Sequence, residues 1–263
     1  MSTTTPHGRV VVVHPDAATV GRATAARLLL HLLDAQSTHH PLHVGLTGGT
    51  VGIATLREVA ASPLRDAVDW TGVHLWWGDE RFLPAGHPDR NETQARDALL
   101  DALPIPAENV HPMPAADAPG ITTPEDSAAA YAAELARFAD EAEGADDAGP
   151  AVPAFDVLLF GMGPDGHVAS LFPGHEGLTV VDRTVVGVHG SPKPPPERVS
   201  LTWPAIEAAQ EVWLVVAGAD KAGAAARALA GDEVASTPAT AALGRRRTLW
   251  LLDVAAAAGP APA

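Results

Sequence analysis

The chain has 263 residues, a formal net charge of −15 and 46% hydrophobic residues, so it can bury a sizeable core, and this composition argues against extensive disorder. The acidic balance argues against nucleic acid and anionic membrane surfaces as main partners, because both need basic patches, but leaves room for a small anionic substrate that needs only a local cluster of cations. Having no cysteine rules out disulfides, thiolate catalysis and cysteine–zinc sites; with no apolar signal core at the start and no apolar run of membrane length, the expectation is a cytoplasmic protein with no membrane partner.

In chain order, Arg9–Val13 is β-branched and predicts a strand, and Ala17–Leu33 carries apolar residues at helical spacing behind Asp16 as N-cap. Leu42–Leu46 predicts the next strand. It runs into Thr47-Gly48-Gly49-Thr50 and a helix to about Val59. Strand, glycine pair, hydroxyl and helix suggest a phosphate cradle, since glycine lets backbone amides approach an oxyanion and a helix N-terminus favours negative charge; a plain tight turn is the alternative. Val73–Trp77 predicts a third strand, ending in Gly78-Asp79-Glu80-Arg81. Asn91–Leu103 follows as a helix with Asn91 as cap, and Glu125–Ala142 as another. Asp140–Pro153 is acidic and rich in Ala, Gly and Pro; because the same pattern of elements continues beyond it, it is expected to be a surface loop within one domain spanning residues 1–263, frayed at about 1–8 and 255–263.

Val157–Phe160 is a short apolar run of the kind that makes a buried strand. It breaks into Gly161-Met162-Gly163-Pro164-Asp165-Gly166, delivers His167 and continues into Val168–Phe172, which is expected to be a short helix. Thr184–Val188 and Val199–Leu201 predict strands flanking Gly190–Arg198, a stiff proline-rich segment with Lys193 and Arg198 near its ends. A short helix at Trp203–Ala209, a strand at Val212–Ala217, Gly218-Ala219-Asp220-Lys221 with a helix to Leu229, and a last strand at Thr248–Leu252 complete the chain. Strands and helices alternate throughout, which predicts an α/β fold: an open, mostly parallel, Rossmann-like sheet with helices on both faces.

Carboxylate, glycine and histidine at a strand's carboxyl end lie where an open α/β sheet places its chemistry. Gly161, Gly163 and Gly166 spell G-x-G-x-x-G, but Pro173-Gly174 ends the next helical piece far short of the crossover that a dinucleotide fold needs. None of the 12 histidines lies in an H-E-x-x-H motif, and His167 and His175 are too far apart for one helical face, so no metal and no cofactor is expected. No G-x-S-x-G elbow is present. General acid–base chemistry remains, with His167 as the proton acceptor and Asp165 orienting it; a helix-start histidine bonded to backbone is the plain alternative.

With these segments in hand, the chain resembles the 6-phosphogluconolactonase family of the sugar-phosphate isomerase and deaminase superfamily, from Arg9 to Asp253. The resemblance rests on GMGPDGHVASLFPG at 161–174, WGDERFLP at 77–84 followed by Asn91, LTGGT at 46–50, Lys193 with Arg198 and Leu201-Thr202, and Gly218-Ala219-Asp220-Lys221-Ala222. Two departures stand out. Thr50 is followed by Val51-Gly52 where the family commonly has a second hydroxyl and proline, and Arg90 precedes Asn91 where the family often has serine. The similar glucosamine-6-phosphate deaminases continue their loop with Phe-Asn-Glu-Pro and carry Asp-Glu-Tyr; Ala169–Pro173 lacks that glutamate, and 79–81 is Asp-Glu-Arg. The resemblance implies hydrolysis of 6-phospho-D-glucono-1,5-lactone to 6-phosphogluconate in the pentose phosphate pathway. His167 and Asp165 would be catalytic, the phosphate held by Gly48, Gly49 and Thr50 with Arg81, Lys193, Arg198 and Lys221, and Asp79, Asn91, Gly163 and Gly166 would support them. A deaminase, or a sugar-phosphate-binding regulator without catalysis, is the alternative. The sequence sets no oligomeric state and is compatible with a monomer.

Overall fold

The structure is a computed structural model that describes residues 2–4, 9–139 and 150–259. Its elements in order are β1 (Ser2–Thr4), β2 (Arg9–His14), α1 (Ala17–Gln36), β3 (Leu42–Leu46), α2 (Gly49–Ala61), β4 (Val73–Trp77), β5 (Asp79–Arg81), α3 (Asn91–Ala98), α4 (Pro124–Ala136), β6 (Val157–Phe160), β7 (Val185–Val188), β8 (Arg198–Leu201), α5 (Trp203–Glu207), β9 (Glu211–Val216), α6 (Ala222–Ala230), β10 (Arg247–Asp253) and α7 (Val254–Ala257). Seven strands form one sheet in the order β1-β2-β10-β9-β6-β3-β4, parallel except for β1. This is the mostly parallel α/β sheet that the alternating pattern predicts.

Central strands of such a sheet are apolar on both faces, and their residues divide by parity. In β9, Val212, Leu214 and Val216 enter one core cluster while Trp213 and Val215 enter the other. β6 divides the same way, with Leu158 and Phe160 on one side and Val157 and Leu159 on the other. Each such side chain, fully buried, stabilises the fold by about 1.5–3 kcal/mol before chain entropy is counted. On the second face Leu28, Leu29 and Leu32 of α1 complete the core, as the helical spacing requires, and Asp16 caps that helix through Thr19 N at 2.7 Å. Among the described residues no helix is long and apolar enough to cross a membrane.

Four expectations need correction. Val168–Phe172 is not helical: Val168 and Leu171 bridge around a turn in which Ala169 has φ +50°, a strained value for a residue with a Cβ. Asn91 is the first residue of α3 rather than its cap, and α3 stops at Ala98 before a separate 3₁₀ turn at Leu100–Ala102. Pro124–Ala136 is shorter than expected, with Thr123 and Asp126 forming a capping box, and residues 140–149 of the expected surface loop lie outside the described residues. The chain ends carry β1 and α7 where fraying was expected.

A second sheet, which the alternation did not predict, has the order β5-β8-β7 and is antiparallel. It is small, but it sets Asp79 opposite Ser200 and Arg81 opposite Arg198.

Candidate active site

The site lies where the direction of strand addition reverses. β4 continues outward from β3, whereas β6 pairs on the other side of β3, so the loops after β3 and β6 diverge and leave a crevice at the strands' carboxyl ends. The two loops are tied at its floor: Gly161 N donates to Thr47 Oγ1 at 3.1 Å. The crevice is a cleft of ≈ 570 Å³, and Gly48, Gly49, Thr50, Asp79, Arg81, Asn91, Gly163, His167, Lys193, Arg198 and Lys221 all line it. Residues from six separate parts of the sequence are thereby brought together. Asp165 and Gly166 stand behind this lining.

The loop after β6 positions the histidine. His167 Nδ1 is 2.6 Å from Asp165 Oδ1. Burial opposes ionisation of Asp165, but the hydrogen bond and charge of His167, with Lys193 assisting, hold its carboxyl at about 2. An ionised carboxylate only accepts, so Nδ1 carries the proton of this pair and Nε2 is left with the lone pair. The Phe172 ring packs on the imidazole with centroids 4.5 Å apart. Two of the loop's amides are spent on its shape: Gly163 N donates to His167 O and Gly166 N to Gly163 O, both at 3.0 Å. Gly166 has φ +90°, which favours glycine, and Gly163 is glycine because a Cβ there would meet the His167 ring and Asp165 Oδ1.

After β3, Gly48 and Gly49 answer to different constraints. Gly49 adopts φ +79°. Gly48 lies against the Asn91 carboxamide, whose Oδ1 occupies the space of a Cβ. Among the described residues no side chain caps α2 at Gly48, and Gly48, Gly49 and Thr50 line the cleft at that helix N-terminus.

The charged triplet after β4 has three separate roles. Asp79 accepts from Ser170 Oγ at 2.7 Å, and its carbonyl accepts from Asn91 Nδ2 at 2.8 Å. Glu80 is fully buried and takes three backbone amides, Arg81 N, Asn91 N and Glu92 N, at 2.8, 2.6 and 2.9 Å. Burial pushes its carboxyl up, against the pull of Arg90 and those amides. Glu80 is therefore the actual cap of α3. Arg81 is anchored through Nη1 to Asp89 O at 2.6 Å and reaches the cleft.

Lys193 enters from the proline-rich segment. Burial lowers the pKa of its ammonium; the Asp165 charge opposes this, while Lys221 and Arg198 reinforce it. Lys221 is paired with Asp220 beside it. Arg198 is almost wholly buried and donates to three carbonyls of the proline-rich segment, with Nη1 3.9 Å from Asp79 Oδ2.

Thr47, Asp220 and Asp253 also line the cleft, and Glu80 and Ser170 bond to Asn91 and Asp79 in its wall, though sequence reasoning gave these five no role. Asp253 at the end of β10 accepts from Gly218 N at 3.1 Å, holding the loop that carries Lys221. A polar residue directly after a buried strand was the available signal for Thr47 and Asp253. Ser170 carried none, because its partner Asp79 is 91 residues away. Among the described residues, no group of three or more His, Cys, Asp or Glu is arranged to hold a metal ion.

Residues 15–250 match the family described as glucosamine-6-phosphate isomerases/6-phosphogluconolactonase. The 6-phosphogluconolactonase of Streptomyces coelicolor is 56% identical over 247 residues, covering 94% of this chain and 93% of that one. That of Mycobacterium leprae is 46% identical over 248 residues, covering 94% and 97%. The structure of 6-phosphogluconolactonase from Trypanosoma brucei superposes with a TM-score of 0.78 at 28% identity, covering 99% of this chain and all of that one, 100%.

Proposed function

The chain belongs to the glucosamine-6-phosphate isomerase and 6-phosphogluconolactonase family, and from that membership we propose that it is the lactonase, hydrolysing 6-phospho-D-glucono-1,5-lactone to 6-phosphogluconate in the cytoplasm. The observation that carries the chemistry is the Asp165–His167 pair on a cleft lined by cations and an open helix N-terminus. His167 Nε2 takes a proton from water as the water oxygen attacks the lactone carbonyl carbon. Asp165 holds the tautomer and stabilises the imidazolium that forms. The carbonyl π electrons move to oxygen, giving a tetrahedral oxyanion. Because the Gly163 and Gly166 amides are already bonded within the loop, the charge near this oxygen falls to Lys193, whose field reaches Asp165. Collapse of the intermediate re-forms the carbonyl and breaks the bond to the ring oxygen. That oxygen leaves with the proton held on Nε2, and the new carboxylic acid ionises.

The phosphate sits at the Gly48-Gly49-Thr50 end, on the free amides of α2, with Arg81 and Lys221 supplying charge and Arg198 adding its own from beneath Lys193. Binding at this remote group fixes the carbonyl over His167, so affinity for phosphate is expressed as rate. The chain also lacks the loop glutamate of the deaminases, which supports the lactonase over its runner-up.

The test is hydrolysis of freshly made lactone, corrected for spontaneous opening. His167→Asn is expected to lose 10²–10⁴-fold in kcat, about the worth of a general base. Equal rates for wild type and variant remove His167 from the chemistry, and ammonia release from glucosamine 6-phosphate assigns the chain to the deaminases instead.

A further inference from the structure

Arg198 faces the cleft, yet most of its donors point away from it. Nε donates to Pro195 O at 3.2 Å, and Nη2 donates to Lys193 O at 3.0 Å and Pro194 O at 3.2 Å. Three successive carbonyls thus converge on one guanidinium, a fork geometry that a point-charge ammonium does not reproduce. The same guanidinium lies 5.8 Å over the Phe172 ring, and Phe172 is the ring packed on His167. Ser191 closes the same turn, accepting from Lys193 N at 3.3 Å and donating to Lys193 O at 2.9 Å. Only 5% of Arg198 is exposed, so an anion in the cleft meets little of this group.

We propose that Arg198 is a positioning residue: its guanidinium folds the proline-rich segment so that Lys193 stands at the Asp165–His167 pair. This role is separate from the help in holding phosphate that the family resemblance implies for Arg198. It rests on the lactonase reading for its kinetic consequence but not for its structural one. A stiff segment carrying a catalytic cation needs its carbonyls satisfied from below, since its three consecutive prolines contribute no N–H donors of their own.

Two measurements test it. The first is a double-mutant cycle with Arg198→Lys, which keeps the charge and loses the fork, and Lys193→Ala, read as kcat/KM for the phosphorylated lactone. Arg198→Lys is expected to lose about tenfold or more when Lys193 is present and less than about twofold when it is absent. The second is acetylation of Lys193 by a small anhydride, followed by site-resolved mass spectrometry with Lys221 as internal reference. The Lys193 rate is expected to rise at least about threefold in Arg198→Lys, because the released side chain gains solvent. Losses that multiply in the cycle, or an unchanged Lys193 rate, overturn the proposal. If Arg198→Lys does not fold, Ser191→Ala replaces it in both measurements, with the same expected directions and the same overturning results. If the wild type hydrolyses no lactone, the functional reading fails, and the acetylation result alone decides the positioning role.

Discussion

Gly163→Ala adds one methyl group next to the Asp165–His167 pair. The backbone tolerates it, because φ at Gly163 lies outside the left-handed region. The new Cβ does not fit: it would sit inside 3.0 Å of His167 Nδ1 and Cε1 and of Asp165 Oδ1. Regaining an ordinary contact moves the imidazole by about 1 Å, and a displacement of that size costs a positioned group about 10²-fold in rate, or about 2.7 kcal/mol of transition-state stabilisation. The cradle at Gly48-Gly49-Thr50 and the cation Lys221 come from other loops, so KM should stay within about twofold. Initial rates on fresh lactone across a range of concentrations, with a thermal melt to confirm folding, measure both parameters. A folded variant whose kcat stays within about threefold of wild type would show that the pair does not need the position seen here, and the argument from loop shape to rate would fail.

Asp165→Asn should cost about 10²–10⁴-fold in kcat while leaving the loop folded, because a carboxamide can donate to Nδ1 and place the proton on Nε2, the wrong nitrogen for a base; the pH–rate profile checks it. Gly48→Ala drives a methyl group into the buried Asn91 carboxamide and should destabilise by about 1–3 kcal/mol, with Asn91→Ala restoring part of that loss in urea denaturation. Acid stability should fall through His43: burial, with repulsion from His74, His111 and His39, holds its imidazole at about 3 against an ordinary 6.5, so the unfolded chain takes the proton first. Its contribution is complete above pH 6.5 and is lost as pH falls toward 3, about 2 kcal/mol of it between pH 8 and pH 5. His43→Gln should flatten that slope by this amount in urea titrations at the two pH values, and an unchanged slope would refute the assignment.

Much of this molecule was legible from its residues because the signals are local. A run such as Val157–Phe160 has to be a buried strand, and Leu42–Leu46 and Val73–Trp77 begin and end where the sequence places them. The alternation of such runs with helices fixes a parallel sheet, and with it the end at which loops carry function. His167, Asp165, Gly48–Thr50 and the cations Arg81, Lys193, Arg198 and Lys221 were each singled out by residue type and place in the chain, and all but Asp165 line one cleft. What the sequence could not supply is distance between residues far apart in the chain. The antiparallel pairing of β5 with β8 sets Arg81 opposite Arg198 across more than a hundred residues, and no periodicity announces it. Val168–Phe172 carries apolar residues that suit a helix, but Ser170 is held by its bonds to Asp79 and Ser200, and the segment becomes a turn. Asn91 has the chemistry of a cap, yet Glu80 takes the amides of that helix. Composition and spacing determine which elements form and which residues have the chemistry to matter. Only the packed structure decides where each donor and charge is spent, because a hydrogen bond depends on a few ångströms between partners that the chain brings together last.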